Sequence, residues 1–273
     1  MMDFTAFSQL PNEEMSLSLG ALLIARDVYP HLDIAAELDR LDQLAASLPP
    51  PPAAAPASDR LAELLTYLYG TCNFRGNNEE YYDVRNSLLN DVLERRLGIP
   101  ISLAVVLLHL ARCVGLAARG VSFPGHFLVR VTLDDATSVF VDPFRGTPVD
   151  QESLERLLQK GPASTQAATR ELLEPASTRE ILARMLTNIK RIHQSQGDHA
   201  RALMAQTRLV ELFPGDPDVR LERASCAEKL GAVAMAIDDL EQALRCLPSE
   251  EPTRRVSLET TLLRLRTRLR RPN

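Results

Sequence analysis

Residues 98–131 read GIPISLAVVLLHLARCVGLAARGVSFPGHFLVRV, and this stretch decides the fold of the first half of the chain. Pro100 suits the first turn of a helix, where its missing amide costs nothing, and the run from Leu103 to Cys113 is apolar on nearly every side. After Gly115, short segments rich in Val and Phe are separated by Pro124-Gly125, as in antiparallel strands with tight connections. The stretch therefore predicts a buried central helix followed by a β-hairpin.

Further helices are predicted before this stretch, and a third strand after it. Leucines at helical spacing indicate four amphipathic helices, around Leu19–Ala25, Leu38–Leu44, Leu61–Leu68 and Leu88–Leu97. Residues 49–58 are rich in proline, which cannot continue a helix, so they are expected to form a loop. The segment SVFVDPF, residues 138–144, is typical of a strand. The first domain is therefore predicted to be α+β, with helices first and a small antiparallel sheet after them.

From about Ile181 the chain is helical again and contains a repeat. Gly197, Ala200, Ala202, Leu203 and Pro214 recur 34 positions later as Gly231, Ala234, Ala236, Ile237 and Pro248. That period is typical of tetratricopeptide repeats, and the small residues let two helices pack closely. A last helix with Leu258, Leu262, Leu265 and Leu269 is expected to cap the array. We therefore expect one domain at residues 1–176 and an all-α repeat domain at residues 177–273.

Composition and charge exclude several classes of protein. The 273 residues are 45% hydrophobic and carry a formal net charge of −5, which does not suit a nucleic-acid-binding protein. No apolar run approaches the roughly 20 residues that a membrane span needs, and the first residues lack the pattern of a signal peptide. The arginine-rich C-terminal helix is interpreted as a cap rather than a membrane or nucleic-acid site, because its leucines are needed to seal the last repeat. We therefore expect a cytoplasmic protein.

The cysteines predict no metal site, and no cofactor is expected. Cys72, Cys113, Cys226 and Cys246 lie far apart in the sequence and form no CxxC pair. Cys113 and Cys246 fall in apolar helical patterns, where a free cysteine is typically a small buried hydrophobe. His109, inside the apolar helix, is interpreted as a packed or partly exposed residue rather than a ligand.

Three residues around the central helix have the chemistry of a catalytic triad. Ser102 falls in the first turn of the helix, where free amides and the helix dipole favour a developing anion. His126 begins the strand HFLVRV, and Asp142 lies in the strand VFVDPF. If these strands pair as a hairpin, Asp142 can orient His126, and His126 can face Ser102. The three residues would then be the acid, the base and the nucleophile that activation of a hydroxyl group needs.

Structural roles are the alternative for the same three residues. Ser102 can satisfy a backbone amide at the helix start. His126 can bond a carbonyl oxygen after the turn, and Asp142 can cap the turn that begins at the following proline. Both interpretations place the residues at the ends of the predicted elements.

The segments LLIARDVYPHLDI, FRGNNEEYYDVRNSLLNDVLERRLGIPISL and FPGHFLVRV, followed by tetratricopeptide repeats, resemble the bacterial SirB-type family of transglutaminase-like proteins. The resemblance implies a transglutaminase-like core, related to the papain-like proteases, with helices in front of it. Transglutaminase-like enzymes use a cysteine at the start of the core helix, where this chain has Ser102. A serine hydroxyl is far less acidic than a thiol, whose pKa is about 8.5, so no thiolate–imidazolium pair can form here.

The loop NFRGNNEEYYDVRN carries more polar residues than a connection requires. Asn73, Asn77, Tyr81 and Asn86 could line a groove beside Ser102, where amide and phenol groups can stabilise an oxyanion. Alternatively, they cap helices and close the loop, which is the interpretation that we favour.

Two functions are consistent with the sequence. In the first, the chain is an interaction or regulatory protein, whose repeats bind a protein or peptide partner and whose transglutaminase-like pocket is degenerate. In the second, it is a serine-dependent hydrolase or acyltransferase that acts on a peptide or amide through Ser102, His126 and Asp142. The missing cysteine and the repeat array favour the first.

Overall fold

The computed structural model describes residues 2–49, 55–123, 125–160 and 173–270. Residues 50–54 of the proline-rich loop 49–58 and Pro124 of the predicted turn therefore lie outside the described residues. The chain divides into two compact units, one formed by Leu10–Met185 and the other by Met1–Gln9 together with Leu186–Asn273. This division falls after Met185 rather than after residue 176, and it groups the N-terminal helix with the C-terminal helices.

The described elements have the predicted α+β character, with helical repeats at the end. The helices are α1 (Phe4–Ser8), α2 (Leu17–Arg26), α3 (Ile34–Ala46), α4 (Ala57–Leu65), α5 (Leu89–Arg95), α6 (Pro100–Cys113), α7 (Gln151–Lys160), α8 (Thr178–Ser195), α9 (His199–Leu212), α10 (Pro217–Lys229), α11 (Val233–Cys246) and α12 (Pro252–Arg270). The strands are β1 (Arg75–Gly76), β2 (Leu97–Gly98), β3 (Ala117–Phe123), β4 (His126–Thr132), β5 (Ser138–Asp142) and β6 (Thr147–Pro148). This confirms the fold class expected from the sequence.

Helix α6 is the centre of the unit Leu10–Met185. It begins at Pro100, as the sequence predicts, and nearly all of its side chains are buried. It packs against α2, α3 and α4 and against strands β3 and β4. Since full burial of a Leu or Val side chain is worth about 1.5–3 kcal/mol, this apolar helix supplies much of the stability of the unit.

The sheet of this unit is antiparallel, with the strand order β3-β4-β5-β6, and β1 pairs in parallel with β2 apart from it. Side chains of successive strand residues alternate between the two faces. The face that carries Gly120 and Phe127 lies toward α6, since Gly120 shares a cavity wall with α6 and adjoins the ring of Phe127. On the other face, Val121, Phe123 and Leu128 pack with leucines of α7.

The second unit contains the repeats. Helices α9, α10, α11 and α12 each pack against the next, and α1 packs against α9. Ala202 and Ala236 are 1% and 0% exposed, as expected of small residues between close helices. Gly197 and Gly231 have φ values of +74° and +76°, a left-handed conformation that favours glycine. The residues that recur at the predicted period therefore have recurring structural roles.

Helix α12 seals the last repeat with its apolar side. Leu262 and Leu265 are buried against the repeats, whereas Leu269 is 56% exposed and does not take part in the cap. Arginines of this helix pair with acidic neighbours, such as Arg264 with Glu228 at 2.6 Å. Within the part of the chain that the structure describes, no helix has both the length and the apolar content to cross a membrane.

Candidate functional site

Ser102 lies in the first turn of α6 and is 0% exposed. Its hydroxyl group donates a hydrogen bond to the carbonyl oxygen of Asn86 at 2.5 Å and accepts one from the amide of Ile99 at 3.1 Å. The carbonyl oxygen of Ile99 also lies 3.1 Å from the hydroxyl oxygen. The hydroxyl group therefore joins the start of α6 to the loop between β1 and α5 through backbone groups.

The loop between β1 and α5 is closed by two of its own asparagines. Asn77 is buried, accepts a hydrogen bond from the amide of Glu80 at 3.0 Å, and donates one to the side-chain oxygen of Asn86 at 3.1 Å. Asn86 is fully buried and donates to the carbonyl oxygen of Glu80 at 2.6 Å. Because these amide groups bond within the loop, they hold it closed over Ser102.

The other two residues of the predicted groove lie at the surface. Asn73 is exposed and has a left-handed backbone conformation, with φ of 57°. Tyr81 is 41% exposed, and its ring contacts those of Tyr82 and Phe144, with centroid distances of 5.3 Å and 6.0 Å. Partial burial raises the pKa of the Tyr81 phenol, and the neighbouring Tyr82 acts in the same direction. Tyr81 thus belongs to an aromatic surface cluster.

The side chain of His126 belongs to the face of the sheet that is turned away from α6. It is the first residue of β4 and pairs with Phe123 of β3. Phe123 and Leu128 lie on the face that α7 covers. Since side chains alternate along a strand, the backbone directs His126 to that face, whereas Phe127 points toward α6. Ser102 belongs to α6, so this register does not direct the histidine toward it.

The strands β4 and β5 do pair as a hairpin, and their register places Asp142 on the same face of the sheet as His126 but not directly opposite it. Val129 pairs with Val141, which sets Asp142 two residues out of register with His126. The carboxylate of Asp142 accepts a hydrogen bond from the amide of Phe144 at 2.8 Å. Asp142 therefore caps the turn after β5, which is the structural alternative considered for it above.

The structure thus joins Ser102 to Asn86 and not to the other members of the predicted triad. Among the described residues, no hydrogen bond links any two of Ser102, His126 and Asp142. A nucleophile, a base and an orienting acid act through such bonds, which can be long or poorly aligned in an empty site. The catalytic role of these residues gains no support from this geometry and stays a prediction.

A different serine, histidine and aspartate do form a hydrogen-bonded chain. His109 of α6 is 8% exposed. Its Nδ1 lies 3.1 Å from the hydroxyl oxygen of Ser18 in α2, and its Nε2 lies 2.9 Å from Oδ1 of Asp42 in α3. One signal of this cluster is visible in the sequence, a histidine within an apolar helix, but the partners of this histidine come from two other helices.

Cys113 lies beside this cluster, one turn after His109 on α6. It is exposed, and so is Cys246 at the end of α11. The prediction that these two cysteines are buried was wrong. Each is the last residue of its helix, where the apolar pattern still holds but the chain is leaving the core.

Ser18 and His109 also line a cavity of about 880 Å³ in the unit Leu10–Met185. Its wall includes Arg112 and Arg119, together with Ile181 at the start of α8. Small-molecule sites typically have volumes of about 300–1,000 Å³. Among the described residues of this unit, a serine, a histidine and an aspartate are joined by hydrogen bonds around His109.

Comparisons with known proteins agree with the predicted order of domains. Residues 33–187 match the profile of the transglutaminase-like superfamily, and residues 189–263 match that of the tetratricopeptide repeat. A UPF0162 protein of Xylella fastidiosa (strain Temecula1) is 38% identical over 251 residues, which cover 87% of this chain and 86% of that protein.

Two further relatives differ in the share of their own length that aligns with this chain. A UPF0162 protein of Pseudomonas aeruginosa is 36% identical over 259 residues, covering 91% of this chain and 90% of that protein. Human F-box only protein 21 is 32% identical over 138 residues, which cover 48% of this chain but 21% of that protein. The predicted transglutaminase-like core followed by tetratricopeptide repeats is confirmed.

Proposed function

Because the chain belongs to the transglutaminase-like superfamily and to the UPF0162 family, and has the domain architecture of a protein-interaction protein, we propose that it binds a peptide segment of a partner protein without turnover. The repeats hold the partner, and Ser102 is a structural residue. The transglutaminase-like domain then has a binding or regulatory role.

The observation that carries this proposal is the closed environment of Ser102. A nucleophile must approach a substrate carbonyl to about 3–3.5 Å, with its hydroxyl proton directed at a base. The Ser102 hydroxyl is 0% exposed and donates its proton to the carbonyl oxygen of Asn86. Attack would require the Asn77–Asn86 loop to open and a buried backbone amide to lose its partner. This geometry favours a structural serine over a nucleophile.

The surface that we assign to the partner is formed by helices α8, α10 and α12. Lys190 of α8 bonds Glu222 of α10 at 2.5 Å, and Glu228 of α10 bonds Arg264 of α12 at 2.6 Å. These contacts hold the three helices side by side. Stacked helical repeats present such continuous surfaces to extended segments of their partners.

Two exposed residues of one hairpin provide a matched test. Ser225 of α10 is exposed and lies one turn from Glu222, on the side of the helix that faces α8. Asp238 is exposed on α11, the second helix of the same hairpin. A photo-crosslinking amino acid at either position leaves the buried core unchanged, so the two full-length variants differ only in the surface that they report.

The experiment compares the cross-linked products of the two variants after irradiation in cell lysate, by mass spectrometry. We expect one partner to be recovered through position 225, with its cross-linked peptides clustered in one segment, and little of it through position 238. Equal yields at the two positions would contradict the assigned surface. A partner that is cleaved or acylated by the wild type but not by the Ser102→Ala variant would contradict the absence of turnover.

A further inference from the structure

We propose that Asp42, His109 and Cys113 form a binding site for a zinc ion at the surface of the unit Leu10–Met185. One carboxylate oxygen, one imidazole nitrogen and one sulfur atom from these residues all lie within 4.8 Å of one another. Within the cluster, Nε2 of His109 is 2.9 Å from Oδ1 of Asp42. Three donors this close can contract around a single ion by small rotations of their side chains.

The backbone holds the three donors on packed helices. His109 and Cys113 are four residues apart on α6, so their side chains project from the same face of the helix. Asp42 comes from α3, which packs against α6. Ligands on two packed helices need little ordering when the ion binds, and this lowers the free-energy cost of forming the site.

Ser18 fixes the orientation of the histidine. Its hydroxyl oxygen lies 3.1 Å from Nδ1 of His109, while Nε2 faces Asp42. A histidine that binds a metal through one ring nitrogen commonly has its other nitrogen held by such an outer partner, which sets the tautomer and the ring orientation. The buried side of His109 is therefore fixed, and its other nitrogen is directed toward the carboxylate.

The donor set selects the class of ion. Nitrogen, sulfur and oxygen donors together suit zinc, whereas calcium and magnesium prefer oxygen ligands alone. A thiolate and a carboxylate supply two negative charges for a divalent cation. Three protein ligands leave a fourth position for water, and the exposure of Asp42 and Cys113 gives the ion a path of entry. The absence of a CxxC pair did not exclude this site, because its ligands come from two separate helices.

The first experiment titrates the chelator-treated full-length protein with zinc chloride by calorimetry. We expect one equivalent to bind to the wild type. Cys113→Ser should abolish this uptake, whereas Cys246→Ser should not change it. The two cysteines are a matched pair, since each is exposed and each is the last residue of its helix. No uptake by the wild type, or equal uptake by the two variants, would overturn the proposal.

Further variants test the individual groups. Ser18→Ala should weaken zinc binding by about 10- to 100-fold, the usual effect of removing an outer partner. Asp42→Asn should weaken it by more, and this exposed residue can change without loss of the fold. Cobalt(II) provides an independent readout, because a thiolate bound to cobalt gives a charge-transfer band, which should be absent in Cys113→Ser. A cobalt band of equal strength in that variant would overturn the assignment of the sulfur ligand.

The same cluster has a second interpretation, in which Ser18 is a nucleophile and His109 its base. A fluorophosphonate probe reacts with such serines, forming a phosphorus–oxygen bond as fluoride leaves and the hydroxyl proton passes to the histidine. We expect no labelling of Ser18 in the chelator-treated protein. Labelling that is lost in His109→Gln, in a protein that takes up no zinc, would overturn the metal site in favour of acyl-transfer chemistry.

Discussion

Replacement of Ser102 by alanine should destabilise the unit Leu10–Met185 by about 2 kcal/mol. The hydroxyl group serves two buried backbone groups, the carbonyl of Asn86 and the amide of Ile99. A buried polar group that loses its partner costs about 1–3 kcal/mol. The Ile99 amide and the Asn86 carbonyl oxygen keep a longer bond of 3.3 Å to each other, so neither group is left without a partner and the two losses do not add in full. About 2 kcal/mol is the resulting expectation.

A matched control is Ser87, which directly follows Asn86 in the chain. Ser87 is also 0% exposed, but its hydroxyl group has no hydrogen-bond partner among the described residues. Removal of a buried hydroxyl group without a partner removes a desolvation cost, so Ser87→Ala should be neutral or slightly stabilising. The two variants delete the same atom from equally buried sites. Their difference in stability therefore isolates the hydrogen bonds of Ser102.

The assay is urea unfolding of the full-length variants, followed by far-UV circular dichroism. Because the chain has two compact units, hydrogen exchange at the Ile99 amide provides a local measure beside it. A loss of about 2 kcal/mol corresponds to roughly 30-fold faster exchange when the amide is covered again faster than it exchanges, because the rate then follows the opening equilibrium. Equal stability of the two variants, or an unchanged exchange rate in Ser102→Ala, would show that the hydroxyl group does not bond as described.

Two further predictions concern reactivity and pH. In chelator-treated Ser102→Cys protein, the new thiol should react with iodoacetamide more slowly than the thiol of Cys113, because position 102 is fully buried and Cys113 is exposed. A faster reaction at position 102 would instead support the enzyme hypothesis. His193 of α8 is 3% exposed, and burial lowers the pKa of its imidazole below the ordinary value of 6.5. Since the unfolded chain then binds the proton at higher pH than the folded chain, stability should fall as the pH drops below about 6.5 and level off below the folded-state pKa. His193→Phe should flatten that dependence in thermal unfolding at pH 5 to 8, and an unchanged slope would contradict this origin.

The parts of the fold that follow a local period could be predicted from the sequence. The apolar run from Leu103 to Cys113 predicts α6, because a helix that is apolar on all sides must be central. The recurrence of Gly197 as Gly231 predicts the repeat, because both turns need the same left-handed conformation. Both signals are carried by spacings along the chain, and packing within each unit preserves them.

The arrangement of the predicted triad could not be obtained in the same way. The sequence places His126 at the start of a strand, but the face that it occupies depends on where the preceding turn ends. A shift of one residue in the register of a strand moves every side chain to the opposite face. In the structure, His126 pairs with Phe123, and the face of Phe123 is covered by α7. The types of the three residues alone, without the register of the strands, were therefore not enough to predict whether their side chains meet.

The same argument explains why the cluster around His109 escaped prediction. Ser18, Asp42 and His109 come from three helices, and their contact depends on how those helices pack. No spacing in the sequence encodes such a contact, in contrast to a CxxC pair. The apolar surroundings of His109 indicated a packed residue, which is correct for its burial but does not identify its partners.

The choice of serine at position 102 is itself an argument for the structural role. At the start of α6 the hydroxyl group accepts a hydrogen bond from the amide of Ile99 and donates one to the carbonyl oxygen of Asn86, which lies outside the helix. A thiol is a weak donor and a weak acceptor, and sulfur is larger than oxygen, so cysteine would fill this position poorly. Catalysis by a transglutaminase-like core requires the opposite properties, an accessible group that ionises readily. Serine at position 102 therefore suits the buried contact with Asn86 and does not supply the properties that such catalysis requires.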